Sequence, residues 1–279
     1  MKIYKLSIAL IIITLFSMPA WAKFCSECGK PLNEGAKFCS ECGAGVGVEN
    51  TTSSEKPKLV TNDLNKIREK LECMEELCAY LESANKASCM DKFPNCKFRF
   101  QKGLEDLQKE TLTDSQKLLV NMYKLKWQFV EEGYDTICKD MVPESRIYYL
   151  SLLNGYIKDF IAGASIKYGE KCIELCKKGV SISGNTVKVQ STYLQVGKGK
   201  NDRISKGQRI KILAVKSNQI MIYGEVKALL WGLPSTYVKV WLSKEEILNR
   251  TDFKDNNSLM NLLKNYETLE KEIMALSFH

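Results

Sequence analysis

The residues with the clearest chemistry stand in two copies of one heptapeptide, Lys-Phe-Cys-Ser-Glu-Cys-Gly, at 23–29 and again at 37–43 of the 279-residue chain. In each copy two thiolates three positions apart can bite one metal ion, and the following glycine lets the backbone turn so that its amides point at sulfur. Two such knuckles complete a tetrahedron from Cys25, Cys28, Cys39 and Cys42, a donor set suited to zinc. All four positions are filled by sulfur, so such an ion would be structural, with no site left open for water. Other chemistry is excluded by what is missing. The one histidine is His279, so no Ser-His-Asp triad, Cys-His pair or imidazole metal site can be built internally.

The paired knuckles, with turn punctuation at Gly29, Pro31 and Gly35 between them, resemble the short zinc-ribbon family found at the termini of many bacterial proteins. The resemblance covers residues 23–46 and implies a small folding unit or adaptor surface. So short a segment cannot build a sufficient core, and needs either metal or crosslinks to fold. A pair of disulfides is the competing use of the same four cysteines, and the residues just upstream bear on it.

Lys2 and Lys5 form a basic start, Leu6–Met18 is an almost unbroken apolar run, and Ala20 and Ala22 give the small-x-small pattern read by signal peptidase. Residues 1–22 therefore read as a cleaved signal, with Lys23 the first mature residue. The alternative is an uncleaved anchor holding the chain to the membrane, although the apolar core is shorter than the roughly 20 residues a spanning helix needs. Export places the chain in the periplasm or outside the cell, where thiols can be oxidised. Loss of Lys2 and Lys5 lowers the formal charge from +8 to +6, so the mature chain remains basic.

The elements that must carry these features are those of an α+β multidomain chain: N-terminal zinc ribbon, disulfide-stapled helical domain, small β-barrel-like module and C-terminal helix. A Gly-, Ser- and Thr-rich linker spans 47–60. A helical cysteine-rich domain follows at 61–178. Its first helix is marked by Leu64, Ile67, Leu71, Met74, Cys78 and Leu81 at spacings of three and four, with Thr61–Asp63 as caps. Thr113 and Gln116 form a capping box before the next long helix, and Pro143-Glu144 opens another that is interrupted at Gly155 and Gly163.

Seven cysteines lie in this domain: Cys73, Cys78, Cys89, Cys96, Cys138, Cys172 and Cys176. With a loop around Pro94, nested bridges Cys73 to Cys96 and Cys78 to Cys89 would staple a helical hairpin, one of three connectivities open to four cysteines. Cys138 could reach Cys172 or Cys176, leaving one thiol over.

At Gly179 the period changes. Residues 180–244 contain five runs rich in Val, Ile, Thr and Tyr: Thr186–Val189, Tyr193–Val196, Arg209–Val215, Gln219–Tyr223 and Tyr237–Leu242. Leu194-Gln195-Val196, followed by Lys206-Gly207 and the alternating Arg209–Leu213, is similar to the bacterial Src-homology-3-like family. That resemblance implies a small barrel that binds peptidoglycan or peptides, and no ligand residue is carried over from it. Eleven basic residues stand here against Asp202 and Glu225, a net of +9, while the rest of the chain is nearly neutral. Tyr193, Tyr223, Trp231, Tyr237 and Trp241 are spread through it as core residues or stacking surfaces. Residues 245–279 form C-terminal helices: Ser243 and Glu246 make a capping box, and Leu259, Leu262, Tyr266, Leu269, Ile273 and Leu276 make a heptad stripe.

These features describe an exported, non-enzymatic, zinc-binding protein of the cell envelope that serves as a binding or adaptor module. Its partner would be peptidoglycan or another anionic polymer, or a protein held through the ribbon or the C-terminal helix. Export removes nucleic acid, the usual partner of ribbons and basic strands. The alternatives are a thiol-disulfide redox protein, or an envelope hydrolase using carboxylates such as Glu75, Glu76, Glu131 and Glu132, which no recognisable motif pairs.

Overall fold

The computed structural model describes residues 58–139, 145–199, 201–227 and 235–277. The signal at 1–22, the cysteine knuckles at 23–46, the linker up to Pro57, the helix start at Pro143-Glu144, and Trp231 lie outside those residues. The described residues belong to one compact unit, Lys56–His279, of mixed helix and sheet.

Helix α1 (Lys58–Leu71) runs through a 3-10 turn (Glu72–Met74) into α2 (Glu75–Glu82), and the apolar stripe from Leu64 to Leu81 is buried along its whole length. The helix starts before Thr61, so Thr61–Asp63 lie inside its first turns and are not its caps. α3 (Lys86–Gln108) differs from the expected loop around Pro94: it is a continuous helix with Pro94 inside it. Pro94 is exposed, on the side where water can satisfy the carbonyl freed by the missing N–H, while Cys89, Cys96, Phe100 and Leu107 anchor the opposite side in the core. Tertiary burial outweighs the local break. α4 (Asp114–Cys138) opens on the expected capping box, with the Gln116 N–H donating to Thr113 Oγ1 at 3.3 Å and the Thr113 N–H donating to Gln116 Oε1 at 2.8 Å.

α5 (Ser145–Ile161) passes unbroken through Gly155 and ends before Gly163, whose φ of +116° turns the chain into α6 (Ile166–Ile182). The strands follow directly: β1 (Thr186–Lys188), β2 (Tyr193–Gln195), β3 (Arg203–Ser205), β4 (Arg209–Lys216), β5 (Gln219–Val226) and β6 (Thr236–Ser243). β3 is absent from the sequence expectation. The hydrogen-bonded ladders form two antiparallel sheets, one of order β1-β4-β5-β6 and a hairpin of β2 and β3, where a single barrel-like module was expected. The hairpin packs on the large sheet through Ile204: a Cβ added to Gly224 would lie 2.6 Å from the tip of the Ile204 side chain and 2.9 Å from Ile210, so glycine gives the hairpin its room here.

α7 (Lys244–Arg250) is capped by Ser243, which accepts the Glu246 N–H at 3.1 Å, and a second 3-10 turn leads to α8 (Asn257–Ser277). The stripe of α8 lies against α6 of the same chain, with Leu259, Tyr266, Leu269 and Ile273 buried as expected, Leu263 buried where Leu262 was expected, Leu262 and Leu276 half-buried, and Lys171 paired to Glu272 at 2.9 Å. The heptad face is therefore used within the chain.

Helices and sheet meet at Tyr149. Its ring lies so close to Gly179 of α6 that a Cβ there would fall 2.3 Å from it, and its hydroxyl accepts the N–H of Val215 in β4 at 3.0 Å. Because Tyr149 is fully buried, its phenol is pushed well above the ordinary range and stays protonated. Tyr149→Phe leaves the Val215 N–H without its partner and should cost about 2 kcal/mol, or about 6 °C in Tm by thermal melting. An unchanged Tm would show that this bond does not hold the junction.

Candidate functional site

The exposed face of the large sheet is the feature with the most binding chemistry among the described residues. Strand β5 alternates strictly: Ile220, Ile222 and Val226 are buried, while Met221, Tyr223 and Glu225 point the other way. In an antiparallel ladder directly opposed residues share a face, so Tyr223 lies between Lys211 of β4 and Lys239 of β6. Tyr237, paired with Glu225 and 63% exposed, stacks on Tyr223 with ring centroids 5.2 Å apart and planes 6° from parallel. Lys188 and Arg209, also paired across strands and exposed, lie two residues further along the same face, toward β1. The result is a flat aromatic pair set among bases, with Glu225 the one acid in the row.

The far end of this face is closed. Beyond the bulge between Ile212 and Ala214, Trp241 lies edge-on to Tyr148 of α5 at 5.3 Å, and Lys216 Nζ sits 4.7 Å over the indole. Tyr193 also works structurally, with the Arg203 guanidinium 4.1 Å over its ring and Arg250 on its carbonyl. Of the aromatic residues weighed from sequence, Tyr237 is exposed and Tyr223 is half-buried in the stack with it, whereas Trp241 and Tyr193 are engaged by Tyr148, Lys216, Arg203 and Arg250 of the fold. Strand alternation carried the signal for Tyr223; the partnership with Tyr237 depended on register.

The loop before β3 is tightly made: Asp202 accepts the Gly199 N–H at 2.7 Å, and Gln195 Nε2 donates to the carbonyls of Gly197 and Gly199. Asp202, one of the two acids of the module, is thus engaged in backbone capping.

The carboxylates considered for hydrolysis are not brought together. Glu75 holds the buried Lys126 at 2.9 Å, Glu131 meets Lys97 at 3.1 Å, Glu132 is bound by Arg146, and Glu76 is exposed. A cavity of about 300 Å³ lies beside Glu75, lined by Arg68, Glu72, Tyr123, Asn154 and Lys158 and also by the apolar Ile157, Ile161 and Ala162. Its charges are largely spent on one another, as Arg68 donates to Glu72 at 2.8 Å.

All seven described cysteines are free thiols, so the structure contains neither nested bridge. Cys73 and Cys96 do meet, with sulfurs 3.4 Å apart, but Cys78 turns to Asn154, and Cys89 lies near Cys138. The continuous α3 explains this: on a helix Cys89 and Cys96 are seven residues apart on one face, and no hairpin loop exists to nest a second bridge. Cys138 bonds to Tyr134 and is not beside Cys172 or Cys176, both fully buried in α6. Burial pushes the Cys172 thiol up to about 12 and the Cys78 thiol up to about 11, and Cys176 moves in the same direction.

The metal-ligating candidates Cys25, Cys28, Cys39 and Cys42 lie outside the described residues. Residues 24–46 match the zinc-ribbon domain family. No curated protein and no solved structure matches the chain, and the resemblance of 180–244 to the Src-homology-3-like family gains no support. Among the described residues no helix is long and apolar enough to cross a membrane.

Thiolate is the species that reacts with alkylating agents, so burial with a raised pKa protects a thiol twice. Native protein treated with iodoacetamide at pH 8 should leave Cys172 and Cys176 unlabelled, and guanidinium should release both. Rapid native labelling of either, read by peptide mass, would contradict their place in the core.

Proposed function

We propose that the chain is an exported, non-enzymatic binding protein that holds an acidic glycan of the cell envelope on the open sheet face, with the zinc ribbon as a second small unit at its N-terminus. The observation that carries this reading is the Tyr223 and Tyr237 stack flanked by Lys211 and Lys239. A flat aromatic pair whose outer member, Tyr237, is exposed offers apolar area to a sugar ring, and cations beside it can meet the carboxylates or phosphates such polymers bear. Charge agrees with the choice of partner: residues 180–244 hold eleven bases against two acids. Peptidoglycan is the first polymer to test. Export rests on the signal pattern of residues 1–22.

Cys25, Cys28, Cys39 and Cys42 fit zinc by the chemistry of the donor set, and they fall within the matched ribbon. Bound zinc would supply folding energy to a segment too short for its own core, and would keep four thiolates from oxidation. The mature chain should contain one zinc per molecule by elemental analysis, and Cys28→Ser should abolish stoichiometric metal. A metal-free native protein with these four cysteines mapped as disulfides would overturn the assignment.

The glycan reading is tested by sedimenting the full mature chain with purified cell-wall sacculi. Retention should be strong at low ionic strength and fall at about 0.15 M salt, where charges act over roughly 8 Å. Tyr237→Ala and Lys239→Glu, both at exposed positions, should each weaken retention about tenfold or more with Tm unchanged. Equal retention of wild type and both variants, or none at low salt, would make the basic face a device for solubility.

A further inference from the structure

We propose that Cys73 and Cys96 form a thiol–disulfide site, at which a disulfide-bearing oxidant closes a covalent link between the 3-10 turn after α1 and helix α3. The inference is independent of both the sheet face and the ribbon. The two sulfurs are 3.4 Å apart, and Cys96, with one proton to give, can turn it to the Cys73 carbonyl at 2.9 Å or to the Cys73 sulfur, while Cys73 Sγ lies 3.4 Å from the Cys96 carbonyl. Such contacts require the two backbones to be adjacent already. Closing to a bond of about 2.05 Å therefore calls for side-chain rotation and little backbone movement.

The two members are unequal, which sets their order of reaction. Cys73 is half-buried and within the field of Arg99 and Lys126; Cys96 lies behind it, 6% exposed. The hydrogen bond from Cys96, aided by the Arg99 charge, holds the Cys73 thiol below its usual value against burial, while the same contact and burial push Cys96 up. A thiolate is thus favoured at the member that solvent can reach.

The Cys73 thiolate attacks one sulfur of the oxidant disulfide. A bond forms to Cys73 Sγ, the oxidant's S–S bond breaks, and its second sulfur leaves with the electron pair and takes a proton. Cys96 then loses its proton to water and attacks Cys73 Sγ, displacing the remaining thiolate. Two protein thiols become one disulfide, and the oxidant is reduced to two thiols.

The reduced full mature chain is incubated with oxidised glutathione, quenched with iodoacetamide, digested without reductant and mapped by peptide mass. The expected product is a peptide linking Cys73 to Cys96, lighter by two hydrogens than the two thiol peptides. Cys96→Ser should accumulate glutathione on Cys73, and Cys73→Ser should carry none on Cys96. The oxidised wild type should melt about 8 °C above the reduced form, a gap that narrows in Cys73→Ser. Both cysteines recovered as alkylated thiols, under conditions that fully oxidise a free dithiol, would overturn the proposal, as would a bridge from Cys73 to any other cysteine. If either variant does not fold, the wild-type map alone decides.

Discussion

The fold depends on one close approach, where the ring of Tyr149 covers Gly179 and its hydroxyl takes the N–H of Val215. Any side chain at position 179 would drive the ring out of this space, and any other residue at 149 would leave a buried amide unpaired. This contact fixes the sheet against α5 and α6 near the end of β4. The same end of the sheet is sealed by Trp241 against Tyr148. The hairpin of β2 and β3 takes part of the opposite face through Ile204 and Gly224. Among the described residues, the packing that builds the core leaves Lys188, Arg209, Lys211, Tyr223 and Lys239 on the outer face of the sheet.

Charge is distributed along the same division. Bases of the helical layer meet acids from neighbouring elements: Lys126 with Glu75, Lys97 with Glu131, Lys171 with Glu272. Lys244, at the end of the strand segment, is likewise taken by Glu267 of α8. Residues 180–244 carry only two acids, Asp202 and Glu225, against eleven bases, and Asp202 accepts a loop amide. The excess of bases over acids in this segment gives it a positive potential that reaches about a Debye length at physiological salt.

What could be read from the sequence was what local periodicity determines. The α1 and α2 stripe, the Thr113 and Ser243 caps and most of the α8 face follow from spacing alone, and the structure buries or caps those residues as expected. Failures came where distant contacts outweigh local signals. Pro94 predicts a break, yet the burial of Cys96 and Phe100 carries the helix through it. With that helix intact, the nested pairing loses its geometry, and of its two bridges the sulfurs of Cys73 and Cys96 alone come together. β3, Arg-Ile-Ser, has a single apolar residue between polar ones, whereas β1 and β2 lie within longer runs of Val, Thr, Tyr and Leu. The Tyr223 and Tyr237 stack needs the β5 and β6 register, which the sequence does not state; the match at 24–46, by contrast, was legible because ligand spacing is a local property.

Hydrogen–deuterium exchange of the full chain, with and without soluble anionic peptidoglycan fragments, tests the central claim most directly. Ligand contact at the open face should slow exchange in peptides covering 219–226 and 236–243, β6 most of all because it is the sheet edge, and leave α1 to α4 unchanged. Protection confined to the helices, or no protection of β5 and β6 at fragment concentrations that saturate binding, would contradict it.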